Sequence, residues 1–354
     1  MMRKAVIGAG LRVLRATRLH ALARPFTQGI GAILMFHNVR PWRTATPGYA
    51  PNRLLEITPE FFEAVIGKVR ALGFEIVTME AALERLAVAR DGNDVGRFVV
   101  LTFDDGYRDT RDHALPVMRR LRTPFTVYVT TGFADASARL WWLELEAGLS
   151  RARQVTFGDV PRTVMLADMS WGDREKLFEQ VYWWLRAMPE PRALDWIAAL
   201  ARDTAVDAPG FARDLCMRWD ELAELASEPL CTIGAHTLTH PRLATHPEAF
   251  ARAELARSME LVAEKLGRVP RHLAYPVGDP TSAGPREFAM ARELGFASAV
   301  TTRPGLLFPA HAMHATALPR VSVNGNWQDI AYLEVLLSGA PFALWNRGQR
   351  VNVG

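Results

Sequence analysis

Cysteine is nearly missing: Cys216 and Cys231 stand alone among 354 residues and form no C-x-x-C pair. That excludes a disulfide-stapled scaffold and a thiolate metal cluster, and it predicts two reduced, buried thiols of the kind a cytoplasmic protein keeps. No run of 18 apolar residues occurs, which excludes a membrane-spanning helix. Internal repeats and low-complexity tracts are also missing. Acidic residues are missing from a long N-terminal stretch. Residues 1–55 hold nine Arg or Lys and no Asp or Glu, the first being Glu56, whereas the rest of the chain holds 33 basic and 38 acidic groups, a net of −5. The basic character therefore belongs to the N-terminal segment and not to a nucleic-acid-binding surface spread over the fold.

What is present is ordinary globular material, 49% apolar and 23% charged, with enough of it to bury a sizeable core. In the opening segment, MMRKAVIGAGLRVLRATRLHALARPF, the residues Val6, Ile7, Leu11, Leu14, Leu19 and Leu22 recur at roughly helical spacing with Arg12, Arg15 and Arg18 between them. Arginine interrupts every apolar stretch within a few residues, unlike a secretory leader. A cytoplasmic location is the expectation. Residues 1–30 are read either as a basic amphipathic helix making peripheral contact with an anionic inner-membrane surface, or as a solvated helix packed on the body of the protein.

Beyond it, short β-like runs alternate with helical stretches. Residues 32–39 (AILMFHNV) and 97–103 (RFVVLTF) read as buried strands, the second as an interior parallel strand. PFTVYVTT, CTIGA, HLAY and FASAV add further strands, with helices at 245–267 and 285–294. Thr58-Pro59 marks the start of another helix, as N-cap and first helical residue. The alternation predicts an α/β fold with a parallel sheet, open or closed into a barrel. Residues 133–219 break the rhythm: they carry seven of the ten tryptophans and read as a helical insertion. Most of those rings are expected in helix core. Trp141 and Trp142 follow a strand–loop junction and are candidates for the substrate side.

The chemistry concentrates at two strand ends. TFDDGY (Thr102 to Tyr107) closes a hydrophobic strand with the adjacent carboxylates Asp104 and Asp105. In parallel α/β folds, sites are built at the carboxyl ends of strands. Adjacent acids on an extended segment point in different directions, so one can bind a metal while the other stays free as a base. HTLTH (His236 to His240) follows the strand CTIGA, and its two imidazoles four residues apart can converge on one cation if the segment turns helically. One Asp with two His suits Zn²⁺, Co²⁺, Mn²⁺, Ni²⁺ or Fe²⁺ with coordination positions left open, a catalytic and not a closed structural arrangement.

TFDDGY and HTLTH, together with AYPVG further on, resemble the signature of the NodB-type polysaccharide deacetylases, carbohydrate esterase family 4. MFHNV (Met35 to Val39) and LPRVSV (Leu318 to Val323) resemble further family segments. The resemblance covers residues 31–340 and leaves 341–354 as a C-terminal tail. It implies a distorted (β/α) barrel, typically of seven strands, and metal-dependent removal of acetyl groups from an N-acetylated saccharide such as a chitooligosaccharide. Carried over by motif, Asp105, His236 and His240 are the metal ligands and Asp104 is the general base. The segment Tyr275-Pro276-Val277 supplies an oxyanion N–H, and with Tyr107, Trp141 and Trp142 it makes up the substrate side.

Two departures stand out. Many family members have an arginine orienting the base where this chain has Ala274, and Arg320 is the candidate replacement. The family's late histidine, which protonates the leaving amine, has no clean match. His37, at a strand end, ranks first among candidates that include His311 and His314, while His113 and His246 read as structural. The same chemistry would serve an O-acetyl ester. A catalytically silent carbohydrate-binding protein on this fold is the reading from another class, and the intact Asp104–Asp105 pair speaks against it.

Overall fold

A computed structural model describes residues 2–42 and 48–353, with side chains from residue 6. The basic N-terminal segment forms two helices, α1 (Met2–Ala16) and α2 (Leu19–Thr27), and not the single helix its spacing suggests. The break falls at Arg18, whose φ of 55° is left-handed. The chain then runs through β1 (Gly31–Phe36), β2 (Asn38–Val39), β3 (Glu56–Ile57), α3 (Pro59–Ala71), β4 (Glu75–Ile76), α4 (Met79–Arg90), β5 (Phe98–Phe103), α5 (Leu115–Arg120) and β6 (Phe125–Val129). Thr58 and Thr78 accept hydrogen bonds from Phe61 N and Ala81 N, capping α3 and α4.

After β6 come α6 (Thr131–Ala134), α7 (Trp141–Arg151), the antiparallel pair β7 (Gln154–Phe157) and β8 (Arg162–Met165), then α8 (Trp171–Ala187), α9 (Glu190–Asp203), α10 (Ala208–Leu215) and α11 (Trp219–Ala226). The last stretch holds β9 (Cys231–Ala235), α12 (Glu248–Leu266), β10 (His272–Ala274), α13 (Pro285–Glu293), β11 (Ser298–Pro304), β12 (Leu318–Ser322), α14 (Ile330–Leu337) and α15 (Ala340–Trp345). The residues expected as a tail thus begin within a helix, and α15 packs against α2.

Seven strands close into a parallel barrel in the order β1-β12-β11-β10-β9-β6-β5, with β5 returning to β1 over six residues from Gly31↔Phe98 to Phe36↔Phe103. The barrel is distorted at β5. One of its edges is shared, the first residues pairing with the outlying β4 and the last with β6. Alternation along each strand sorts the side chains. Ile33, Val100, Tyr128, Ala274, Val300 and Leu318 pack in one cluster, while Leu34, Phe36, Leu101, Phe103 and Val127 pack with Phe62, Val65 and Ile66 of α3. Both faces are buried, which is why the strands read as near-continuous apolar runs. Gly234 is required opposite Tyr128: a Cβ there would lie 2.5 Å from its ring.

The insertion has a core of its own, built from Leu145, Leu149, Phe157, Phe178, Val181, Leu185 and Ile197. Trp184 and Trp196 pack against it, as expected of most of these rings, whereas Trp171 and Trp183 are exposed. Buried Arg174 satisfies carbonyls at the end of α7, donating from Nη1 to Leu149 O and Ser150 O at 2.8 and 2.9 Å.

Candidate metal centre and its cavity

The turn after β5 separates the two aspartates. Asp105 and Gly106 both take left-handed φ, 70° and 73°, so the chain reverses between neighbouring carboxylates. Of the nine non-glycine residues with positive φ among the described residues, four (Asp105, Thr237, His240 and Val277) lie in the loops after β5, β9 and β10. The backbone strain is concentrated where the candidate ligands sit. Several groups hold those loops. His236 N donates to Val129 O (2.9 Å), Thr130 Oγ1 to His236 O (3.1 Å) and His240 N to Thr237 Oγ1 (3.0 Å). Glu254, from α12, accepts from Leu238 N, Thr239 N and Thr239 Oγ1 at 3.0, 2.8 and 2.8 Å.

Asp105, His236 and His240 are all buried, and their ligand atoms lie within 4.8 Å of one another. Each imidazole Nε2 is 3.4 Å from Asp105 Oδ1. His236 is oriented by its other nitrogen, Nδ1, which lies 2.7 Å from Ala274 O and donates to it, turning the Nε2 lone pair inward. Asp105 Oδ1 is buried without a hydrogen-bond donor among the described residues. An orphaned carboxylate oxygen between two inward-facing imidazole nitrogens fits a divalent cation, and a set of one carboxylate and two imidazoles leaves positions open. Burial lowers the His240 pKa to about 4, which keeps the ring neutral, as a ligand must be. Phe133 stacks on His240 at 5.9 Å and Trp142 tilts against it at 5.0 Å, drying that side.

Asp104 faces the other way. Arg320, fully buried on β12, donates from Nη1 to Asp104 Oδ1 and from Nη2 to Oδ2, both at 2.7 Å. Its Nε donates to Thr301 O at 2.9 Å. Burial alone would raise the Asp104 carboxyl, but the Arg320 guanidinium, with His236 and His37 nearby, holds it well below the usual carboxylate range. Removing the fork without its charge partner should be costly. Arg320→Met is expected to lose about 3–5 kcal/mol of stability, because it leaves a buried carboxylate uncompensated. Urea unfolding of the two proteins measures this, and an unchanged midpoint would contradict it.

Above these residues opens a cavity of about 680 Å³. Asp104, Asp105, His236 and His240 line it, together with His37, whose Nε2 is 4.0 Å from Asp104 Oδ2. Burial pushes the His37 pKa down. The insertion supplies an aromatic wall of Trp141, Trp142, Tyr182 and Trp183, with Trp141 stacked on Tyr182 at 5.8 Å. Ile7 of α1 and Trp327 complete the far side.

Other residues expected on the substrate side are not brought to it. Tyr275 is fully buried, its hydroxyl donating to Thr316 O (2.9 Å) and its amide to Val300 O (3.1 Å). Pro276 is buried, and Tyr107 is buried with its hydroxyl accepting from Trp142 Nε1 at 3.2 Å, so that it supports the aromatic wall from behind. Only Val277 of that segment lines the cavity, and its amide has no acceptor among the described residues. His311 and His314 lie in the 3₁₀ segment Pro309–Ala317, away from the cavity, and His311 Nδ1 is engaged with the Phe308 backbone. His246 is paired with Glu190 at 2.6 Å.

Sequence reasoning missed Glu254. The signal was there: it sits with Ala251, Leu255, Ser258 and Val262 on the buried stripe of α12, where an acid has to have partners.

Residues 91–298 match a family model described as polysaccharide deacetylase. No curated protein matches the chain significantly. Among solved structures it is similar to IcaB from Ammonifex degensii, with TM-score 0.54 and 20% identity over 88% of this chain and 97% of that one. The Streptococcus pyogenes deacetylase PplD, solved in complex with acetate, gives 0.51 and 18% over 85% and 95%. BC0361, a polysaccharide deacetylase from Bacillus cereus, gives 0.53 and 16% over 88% and 69%. At these identities the likeness is one of fold.

Proposed function

The chain belongs to the polysaccharide deacetylase family, and from that premise we propose that it is a metal-dependent hydrolase removing acetyl groups from an N-acetylglucosamine-containing oligo- or polysaccharide. The observation that carries this reading is the buried Asp105–His236–His240 group beside a second carboxylate, Asp104, held independently by Arg320. Asp105, His236 and His240 would hold a divalent cation, zinc being the ion they suit best, whose chemistry there is Lewis-acid activation of water and of the acetyl carbonyl.

Asp104 takes the proton as water attacks the acetyl carbon. Arg320 keeps both oxygens of that base oriented and the carboxylate ionised at neutral pH. The free amide of Val277 is the candidate donor to the oxyanion. His37 is the candidate for protonating the departing amine. Burial keeps its imidazole neutral beforehand, so the proton it delivers arrives during the cycle, and Asp104 is the nearest source. The C–N bond breaks, leaving acetate and the free amino sugar. The aromatic wall supports a sugar substrate, since ring faces suit the apolar faces of pyranoses.

The test is acetate release from chitooligosaccharides by metal-stripped protein, with and without Zn²⁺, Co²⁺ or Mn²⁺. Acetate that depends on added metal is the expected result. No acetate from any N-acetylated saccharide, with metal bound, would overturn the reading. Acetate from O-acetylated sugars alone would turn it to an esterase.

A further inference from the structure

We propose that α1, α2 and α15 together form a docking face for an anionic lipid bilayer. The helices are held against α14 and the residues that flank it, and against one another. Leu11 and His20 are buried, Arg15 pairs with Asp329 at 2.5 Å, and Thr27 Oγ1 and Gln28 Nε2 donate to Ser338 O and Leu337 O at 2.7 and 2.9 Å. The large apolar side chains point outward instead. Val6 and Val13 on α1 are 69% and 56% exposed, Leu22 and Phe26 on α2 are 73% and 75% exposed, and Leu344 on the adjoining α15 is 72% exposed. Leu19 and Trp345 extend the same face. An amphipathic helix that only packed on the barrel would turn these residues inward. Single exposed apolar residues need no explanation, but a set gathered on three neighbouring helices does.

Charge selects the occupant. Residues 6–30 and 335–353, which build this face, include Arg12, Arg18, Arg347 and Arg350 and contain no Asp or Glu. Arg12, Arg18 and Arg347 are exposed. Residues 31–334 hold 34 basic and 38 acidic groups, a net of −4, so the excess of positive charge lies in the two terminal segments. Outward apolar side chains interleaved with arginine, and no acid among them, match a surface that is apolar beneath and negative at its headgroups. No helix among the described residues is long and apolar enough to cross a membrane, so the contact lies in the interface. The face adjoins the cavity: Ile7, on α1, lines it, and Gly8 packs against Trp327, another lining residue.

The test is sedimentation of the full chain with phosphatidylcholine vesicles, with and without phosphatidylglycerol. Binding should require phosphatidylglycerol, weaken with added salt, and fall about tenfold or more in both Leu22→Ser/Phe26→Ser and Arg12→Gln/Arg18→Gln. The thermal unfolding midpoints of the variants should match that of the parent, since none of the four side chains is buried. Absence of binding to the anionic vesicles, or equal binding by parent and variants, would overturn the proposal. So would a parent dimer that Leu22→Ser/Phe26→Ser converts to monomer without any vesicle binding, because the face would then serve a second copy of the chain. The readout does not use the hydrolase activity. A failed docking experiment leaves acetate release from soluble saccharides untouched, and the reverse holds as well.

Discussion

Asp104→Asn is expected to cut acetate release by about 10²- to 10⁴-fold while leaving metal content unchanged. The range is what a positioned general base contributes. The separation of the two effects follows from the turn at Asp105 and Gly106. Asp104 points to Arg320 and Asp105 to the histidines, so the base can be neutralised without touching the ligand set. Asparagine keeps the shape and one oxygen for the Arg320 fork, but it has no basic lone pair for a water proton. It also leaves a buried guanidinium without its counter-charge, so the variant will unfold at lower denaturant than the parent. Activity therefore has to be expressed per folded molecule, with unfolding monitored beside acetate release and metal content. Full activity in a folded, metal-loaded Asp104→Asn protein would remove the base assignment.

The barrel was legible because a parallel strand covered on both faces cannot hide. Gly31–Phe36 and Phe98–Phe103 are buried at every position, and the sequence shows it as near-continuous apolar runs, interrupted only by Thr102. Closure of the ring depends on pairs far apart in sequence, such as Leu34↔Val321 and the β1–β5 register, and no local pattern encodes them. The hairpin of β7 and β8 was missed for the opposite reason: Arg162–Met165 has no buried residue, so it lacks the apolar signal on which strand reading relies. The break between α1 and α2 was missed because Arg18, and not Gly or Asn, adopts the left-handed conformation.

At the site, the two motifs mark strand ends, and strand ends converge at one mouth of a barrel. A motif gives a position in the chain and not the direction of a side chain, so Tyr107 and Tyr275 were expected at the substrate when both in fact point into packing. Arg320 was found as a candidate only because an orienting cation was missing at Ala274. The structure supplies the reason that position can do without it: the Ala274 carbonyl is committed to His236, and the bidentate partner of Asp104 reaches it from β12.

His236→Ala should behave differently from Asp104→Asn, losing metal and turnover together. His236 supplies one of three donor atoms, and it is the donor whose orientation is fixed through a backbone carbonyl. Altering groups that merely orient a ligand costs about 10- to 100-fold in metal affinity, so removing the ligand itself should weaken binding by at least about 100-fold. At ordinary metal concentrations the protein would then be largely empty, and acetate release should fall to near background. Asp105 would keep a single imidazole, and the vacated space would be open to water. Excess Zn²⁺ or Co²⁺ should recover part of the binding but little of the activity, because the remaining pair does not fix where the cation sits relative to Asp104. Titration with Co²⁺, followed by its visible absorption, reads binding directly, and acetate release on the same samples reads turnover. The Asp105–His236–His240 assignment fails if His236→Ala binds metal as the parent does and still turns over.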